Sequence, residues 1–139
     1  MGKSITFTMV KPPAVKNQNF GPILTMIKEA GFNVKALKMV ELTKSTAAAF
    51  YAEHHGKAFF EDLVNFMSSG PIIAAVLEKE NAVADFRQLI GSTDPAKADK
   101  GTVRALFGES LQSNAIHGSD SDESALREST FFFNHFELF

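Results

Sequence analysis

Residues 114–121 read Asn-Ala-Ile-His-Gly-Ser-Asp-Ser, with one of the chain's four histidines at their centre. His117 follows Ala115 and Ile116, two apolar residues that suit the end of a strand. Gly118 permits a sharp turn behind it, and Ser119, Asp120 and Ser121 are good helix N-caps. A histidine placed in this way has one face on rigid backbone and the other toward a cleft. Neutral imidazole is nucleophilic near pH 7 and needs no base to take a proton from it before it attacks. Glu128 falls eleven residues later, where a carboxylate on the following helix can fold back to orient the ring. His54 and His55 are adjacent rather than four apart, the wrong spacing for a helical metal pair.

Three arginines stand against eleven lysines. Arg87 comes at the end of a predicted helix, and Arg104 lies in the long loop after it, thirteen residues before His117. Either alone reads as a surface arginine. Together with Thr93 they form a clamp for phosphate, because guanidinium forks match its oxygens bidentately and stay charged. Lys11-Pro12 closes the first strand at a sheet edge, and Tyr51 is the only tyrosine. Phe59-Phe60 reads as core, although an exposed Phe can stack on any nucleobase. The chain has no Walker loop, dinucleotide fingerprint or zinc-ligand spacing.

The elements that must position these residues follow from hydrophobic period. Residues 4–10 alternate as a strand, and 21–30 carry Ile23, Leu24, Ile27 and Ala30 at helical spacing up to Gly31. Residues 32–42 are strand-like. Thr43 caps a predicted helix to about His54, and a second runs from Ala58 to Met67. Pro71 leads into a buried central strand over Ile72–Leu77, and Ala82–Ile90 forms a further helix. A loop over Gly91–Gln112, long enough to be functional, precedes the histidine strand and a last helix. This order predicts an α+β, ferredoxin-like βαββαβ sandwich: a four-stranded antiparallel sheet with helices on one face.

Composition fits one domain over residues 1–139, in which hydrophobic residues make up 45%. Zero cysteines exclude disulfides and thiolate metal sites, in keeping with a cytoplasmic protein. A formal charge of −2 argues against nucleic-acid binding through bulk charge, so a polyanion must meet a local cluster. Met1-Gly2-Lys3-Ser4-Ile5-Thr6 matches the loose N-myristoylation template, but Ile5, Phe7 and Met9 alternate as a strand that leaves little slack for a lipid.

The chain resembles the nucleoside diphosphate kinases, with motifs in order from end to end. They are Lys11-Pro12, Tyr51, Lys57-Ala58-Phe59-Phe60, Phe86-Arg87, Gly91-Ser-Thr93-Asp-Pro95, Arg104, the octapeptide at 114–121 and Glu128. The resemblance implies a ping-pong transfer of the γ-phosphate of ATP to nucleoside diphosphates, through phosphohistidine on the pros nitrogen of His117. It implies that Arg87, Arg104, Thr93 and Tyr51 hold the phosphates, and that Lys11 and Asn114 contact the sugar, with Lys11 also near the transferred group. Phe59 and Leu111 would sandwich the base with little selectivity, while Ser119 and Glu128 fix the imidazole. Mg2+ would be bound through the nucleotide phosphates, with Asp120 reaching it through water. A homo-oligomer built from a common dimer, tetramer or hexamer, is also implied. Alternatives on the same core are phosphotransfer from histidine to other proteins and an idle regulatory nucleotide-binding module.

Two positions depart from the family pattern. Pro13 replaces an Asp and stiffens the turn without offering a carboxylate, and Ala58 replaces a Pro, which should loosen the helix start at Phe59.

Overall fold

The computed structural model describes residues 2–139; Met1, the first residue of the acylation template, lies outside them. In chain order the elements are β1 (Ser4–Val10), α1 (Pro12–Lys16), α2 (Phe20–Glu29), β2 (Asn33–Glu41), α3 (Lys44–Phe50) and α4 (Phe60–Met67). Then come β3 (Pro71–Lys79), α5 (Ala82–Ile90), α6 (Val103–Phe107), β4 (Ile116–Gly118) and α7 (Asp122–Phe132). The strands form one antiparallel sheet in the order β2-β3-β1-β4, the expected ferredoxin-like arrangement.

Strand β3 is buried on both faces because its side chains are apolar at every step from Ile72 to Leu77. Ile73, Ala75 and Leu77 enter one core with Ile23 and Ile27 of α2 and Phe86 and Ile90 of α5. Ile72, Ala74 and Val76 enter a second core with Phe50 of α3 and Val64 and Met67 of α4. Helices therefore pack on both faces of the sheet, not on one as expected. The alternation in β1 points the same way: Phe7 and Met9 join the second core, and Val10 the first.

Several boundaries differ from expectation. Thr43 does cap α3, in a reciprocal box with Thr46, but the helix stops at Phe50 and a separate 3-10 turn carries Ala52–His54. Phe50 and Tyr51 are both buried, their rings edge-on at 4.9 Å. Neighbours on a continuous helix point about 100° apart, so the break lets both rings reach the interior. Helix α4 begins at Phe60 rather than Ala58, leaving Phe59 at the N-cap with no side-chain cap bond.

The long loop is more ordered than its composition suggests. Asp94 accepts from the Ala96 N–H to start a 3-10 turn, and Thr102 accepts from the Ala105 N–H to start α6. Its first residue, Gly91, has φ +88°, and a Cβ there would lie 2.5 Å from the Thr102 hydroxyl. Helix α1 is also new; Pro12 and Pro13 occupy its first turn, where a missing N–H costs nothing.

Candidate active site

His117 is fixed first by backbone. Strand β4 is three residues long and pairs with β1, setting His117 opposite Met9. The Thr8 hydroxyl donates to the His117 carbonyl at 2.7 Å, and the Lys11 N–H donates to the Ala115 carbonyl at 2.8 Å. Ala115 enters this short strand at φ +76°, in the left-handed region that disfavours a Cβ. Gly118 has a different role from the turn expected of it. It sits inside β4, where a Cβ would come within 2.9 Å of Ile90 and 3.0 Å of Phe86, so its bare α-carbon lets the strand lie against α5.

The imidazole is fixed next by a buried polar chain. His117 Nε2 lies 2.9 Å from Glu128 Oε1, and the Ser119 hydroxyl donates to the same oxygen at 2.8 Å. Ser119 in turn accepts from the Phe7 N–H at 3.0 Å. A carboxylate only accepts, so Nε2 carries the proton and Nδ1 keeps its lone pair. Ser119 therefore serves this chain and not the helix. The cap of α7 is Ser121, which accepts from the Ser124 N–H. Phe7 and Phe50 flank the ring, each with its centroid 6.1 Å away.

In front of His117 opens a cavity of about 740 Å3, lined by every predicted site residue except Ser119. Lys11 Nζ donates to Asn114 Oδ1 at 2.7 Å, and Asn114 Nδ2 donates to the Thr93 carbonyl at 3.0 Å. Burial and the neighbouring Arg104 lower the Lys11 pKa to about 8. Arg104 is buried, its guanidinium bridging the Gly91 carbonyl at 3.0 Å and the Ile116 carbonyl at 2.9 Å. It thereby ties the start of the long loop to the histidine strand. Burial, then Arg87, lower its pKa to about 10, so it remains charged at neutral pH. A side groove of about 460 Å3 shares Arg87, Thr93 and Arg104 with the main cavity.

Phe59 and Leu111 stand exposed on the cavity wall, at 47% and 62%. Lys57 lies 5.8 Å from the Phe59 ring and His54 stacks obliquely on it at 5.3 Å, which steadies Phe59 despite Ala58. Burial and the Glu128 charge raise the Tyr51 pKa, so its phenol stays a donor. Asp120 is exposed at the rim, and a hydrogen bond from Ser124 lowers its pKa.

Sequence and fold both match known proteins. The family model of the nucleoside diphosphate kinases matches residues 4–138. The nucleoside diphosphate kinase of Chlorobaculum tepidum is 56% identical over 92% of this chain and 91% of its own length. That of Flavobacterium psychrophilum is 50% identical over the whole of both chains. The chain belongs to the nucleoside diphosphate kinase family. Among solved nucleoside diphosphate kinases, that of Aquifex aeolicus superposes with a TM-score of 0.96 at 43% identity, over 99% of this chain and 100% of that one. The Halobacterium salinarum enzyme in complex with CDP gives 0.95 at 38% identity, over 99% and 92%.

Within this member of the family, the cavity also takes in residues that sequence reasoning passed over, among them Glu53, His54 and Arg127. His54 follows Tyr51 by three residues, so one turn of 3-10 helix puts both on one side. Arg127 carried a signal of its own, as the third of only three arginines.

Proposed function

We propose that this chain catalyses exchange of the terminal phosphoryl group between nucleoside triphosphates and diphosphates, with His117 as the group that carries it. One observation supports this above all: Nε2 is held by Glu128 at 2.9 Å, so the free lone pair of Nδ1 belongs to the cavity that Lys11, Arg87 and Arg104 line. In the first half-reaction Nδ1 attacks the γ-phosphorus of ATP. The P–N bond forms, the P–O bond to the β-phosphate breaks, and ADP leaves with that oxygen. The imidazolium that results keeps its proton on Nε2, which donates to the Glu128 carboxylate, and the carboxylate charge balances it. A different nucleoside diphosphate then attacks the phosphohistidine and restores the free ring.

Phosphoryl transfer asks the protein mainly for alignment and charge neutralisation. Arg87, Arg104, Thr93 and the Tyr51 hydroxyl supply donors for the phosphates, and Lys11 reaches the transferred group. Asn114 keeps one N–H and one lone pair for a sugar hydroxyl after its bonds to Thr93 and Lys11. Phe59 and Leu111 take the base between them without reading its edges, which accounts for broad base tolerance.

Among the described residues no three His, Cys, Asp or Glu side chains come together as a metal site. The donor set fits Mg2+ that arrives with the nucleotide, held by phosphate oxygens and, through water, by the ionised Asp120. Bound so, it neutralises phosphate charge.

A homo-oligomer assembled from a common dimer is part of this proposal. Its support is the apolar surface of edge strand β2, where Val34, Leu37 and Met39 are exposed. Light scattering at micromolar concentration tests it, and a stable monomer would sink it. No helix among the described residues is long and apolar enough to cross a membrane. A cytoplasmic location is also part of the proposal, and its support is a composition without cysteine, which fits a reducing compartment. The decisive experiment on function is incubation with γ-labelled ATP followed by a chase with another nucleoside diphosphate. Rapid passage of label to the chase nucleotide supports the exchange; label retained on the protein or passed to other proteins defeats it.

A further inference from the structure

Arg127 lies immediately before Glu128 on α7, beside the cavity, and has no part in the scheme above. Taken singly it is a half-exposed cation with long-range partners, and such pairs contribute little to stability. What sets it apart is which groups it touches. Its Nη2 lies 3.5 Å from Glu128 Oε2, the oxygen not engaged by His117 or Ser119. The same nitrogen is 3.7 Å from Glu53, and Nη1 donates to the Phe50 carbonyl at 3.5 Å. The guanidinium also sits 5.8 Å from the Phe50 ring, and that ring stands edge-on to the imidazole.

We propose that Arg127 is a positioning residue for phosphoryl transfer, holding the far oxygen of Glu128 so that the near oxygen keeps the His117 ring in its Nε2–H form. The inference rests on the reading of His117 as the phosphate carrier. Glu128 is only 5% exposed, and a buried carboxylate needs a counter-charge and a fixed rotamer. Ser119 and His117 both crowd onto Oε1, which would draw the carboxylate round unless something held the other side. Arg127 is the guanidinium on that side. Its contacts with Phe50 and Glu53 fall on either side of Tyr51, at the end of α3 and just beyond it, so one side chain braces Glu128 against one wall of the cavity. As charge develops on the imidazole during attack, a carboxylate held in place responds without reorganisation.

The test compares Arg127→Gln and Arg127→Lys with the wild type in three measurements. These are single-turnover formation of phosphoenzyme from ATP, ADP affinity by calorimetry, and the His117 tautomer by nitrogen-15 NMR. In Arg127→Gln the phosphorylation rate should fall about tenfold, as when the partner that orients a metal-bound histidine is lost. ADP affinity should stay within about twofold, which separates orientation from ground-state binding. The Nε2–H bias should weaken, and Arg127→Lys should recover most of the rate. Unchanged rate and tautomer in Arg127→Gln, with only a lower melting temperature or weaker ADP binding, would overturn the proposal. Wild type that forms no phosphohistidine at His117 would instead overturn the functional reading, and this inference with it.

Discussion

Behind His117 the polar groups that hold the imidazole are buried and bonded to one another, whereas in front of it the groups placed for a nucleotide divide between exposed side chains and the buried Tyr51, Asn114 and Arg104. Ser119 and Glu128 are 0% and 5% exposed and joined at 2.8 Å. Arg87, Thr93, Phe59 and Leu111 are all exposed. The back of the site is preorganised because reorienting a nucleophile during reaction raises the barrier directly. The front must admit, release and exchange different nucleotides, so its groups keep their hydrogen-bonding capacity for the ligand. Arg104 belongs to the back by burial and to the front by charge.

The largest effect should come from His117→Ala, with loss of both the acid-labile phosphoenzyme and nucleotide exchange. The ring lies at a cavity edge, so the fold should survive, as circular dichroism would show. Phosphate found on another residue by mass spectrometry, or near-normal exchange, would break the comparison at its centre.

Next is the contrast between the two clamp arginines. Arg104→Lys cannot span the Gly91 and Ile116 carbonyls, so it should lose about 2–4 kcal/mol of stability as well as turnover. Arg87→Lys, at an exposed position, should change stability by no more than about 0.5 kcal/mol while weakening nucleotide binding. Equal melting temperatures for the two would erase the distinction between back and front.

Phe59→Ala should weaken purine and pyrimidine diphosphates together, by about 1–3 kcal/mol, since stacking is indifferent to base edges. Loss confined to one base class would show edge recognition at the front wall.

Lys11 gives a pH signature. Its pKa is lowered from the usual 10.5 to about 8, so in the free protein the amine loses its proton as pH rises through about 8. A bound phosphate favours the ammonium, so nucleotide affinity should fall above that pH, and binding near pH 9 should take up a proton. Calorimetry in buffers of different ionisation enthalpy reads this directly, and zero uptake would refute it. For folding without nucleotide the sign is opposite. Below about pH 8 the folded state carries the full cost of burying the charged amine, and this is relieved between 8 and 10.5, where only the unfolded chain stays protonated.

The smallest effect is Ala115→Gly. It relieves a left-handed conformation that costs about 1–2 kcal/mol and adds unfolded-state entropy worth about 0.4–1 kcal/mol. A net gain between zero and about 1.6 kcal/mol should result, measurable by denaturant titration; a loss of stability would show that the Ala115 methyl is needed in the core.

Much of this architecture was readable along the chain. Strand β1 falls at residues 4–10 as its alternation requires, and Thr43 caps α3. The run Ile72–Leu77 is a central strand, and the octapeptide with its scarce arginines pointed to His117, which the structure sets on the main cavity. These are local signals: hydrophobic period, cap chemistry and residue type report on an element's own geometry and on the chemistry its side chains permit. What escaped is relational. That both sheet faces carry helices depends on where α3 and α4 dock. That Gly118 makes room for Phe86 and Ile90, and Ser119 serves Glu128 instead of a helix end, depends on residues from other elements. The contacts of Arg127 with Phe50 and Glu53 join positions more than seventy residues apart, for which loop-closure entropy is overcome only when the whole sheet assembles. The sequence by itself determined the fold class and singled out His117 as the candidate nucleophile, because both are written in local pattern. Which partners hold that imidazole, and which groups on the cavity stay unpaired, was decided by the tertiary structure, because burial and pairing are properties of the packed assembly.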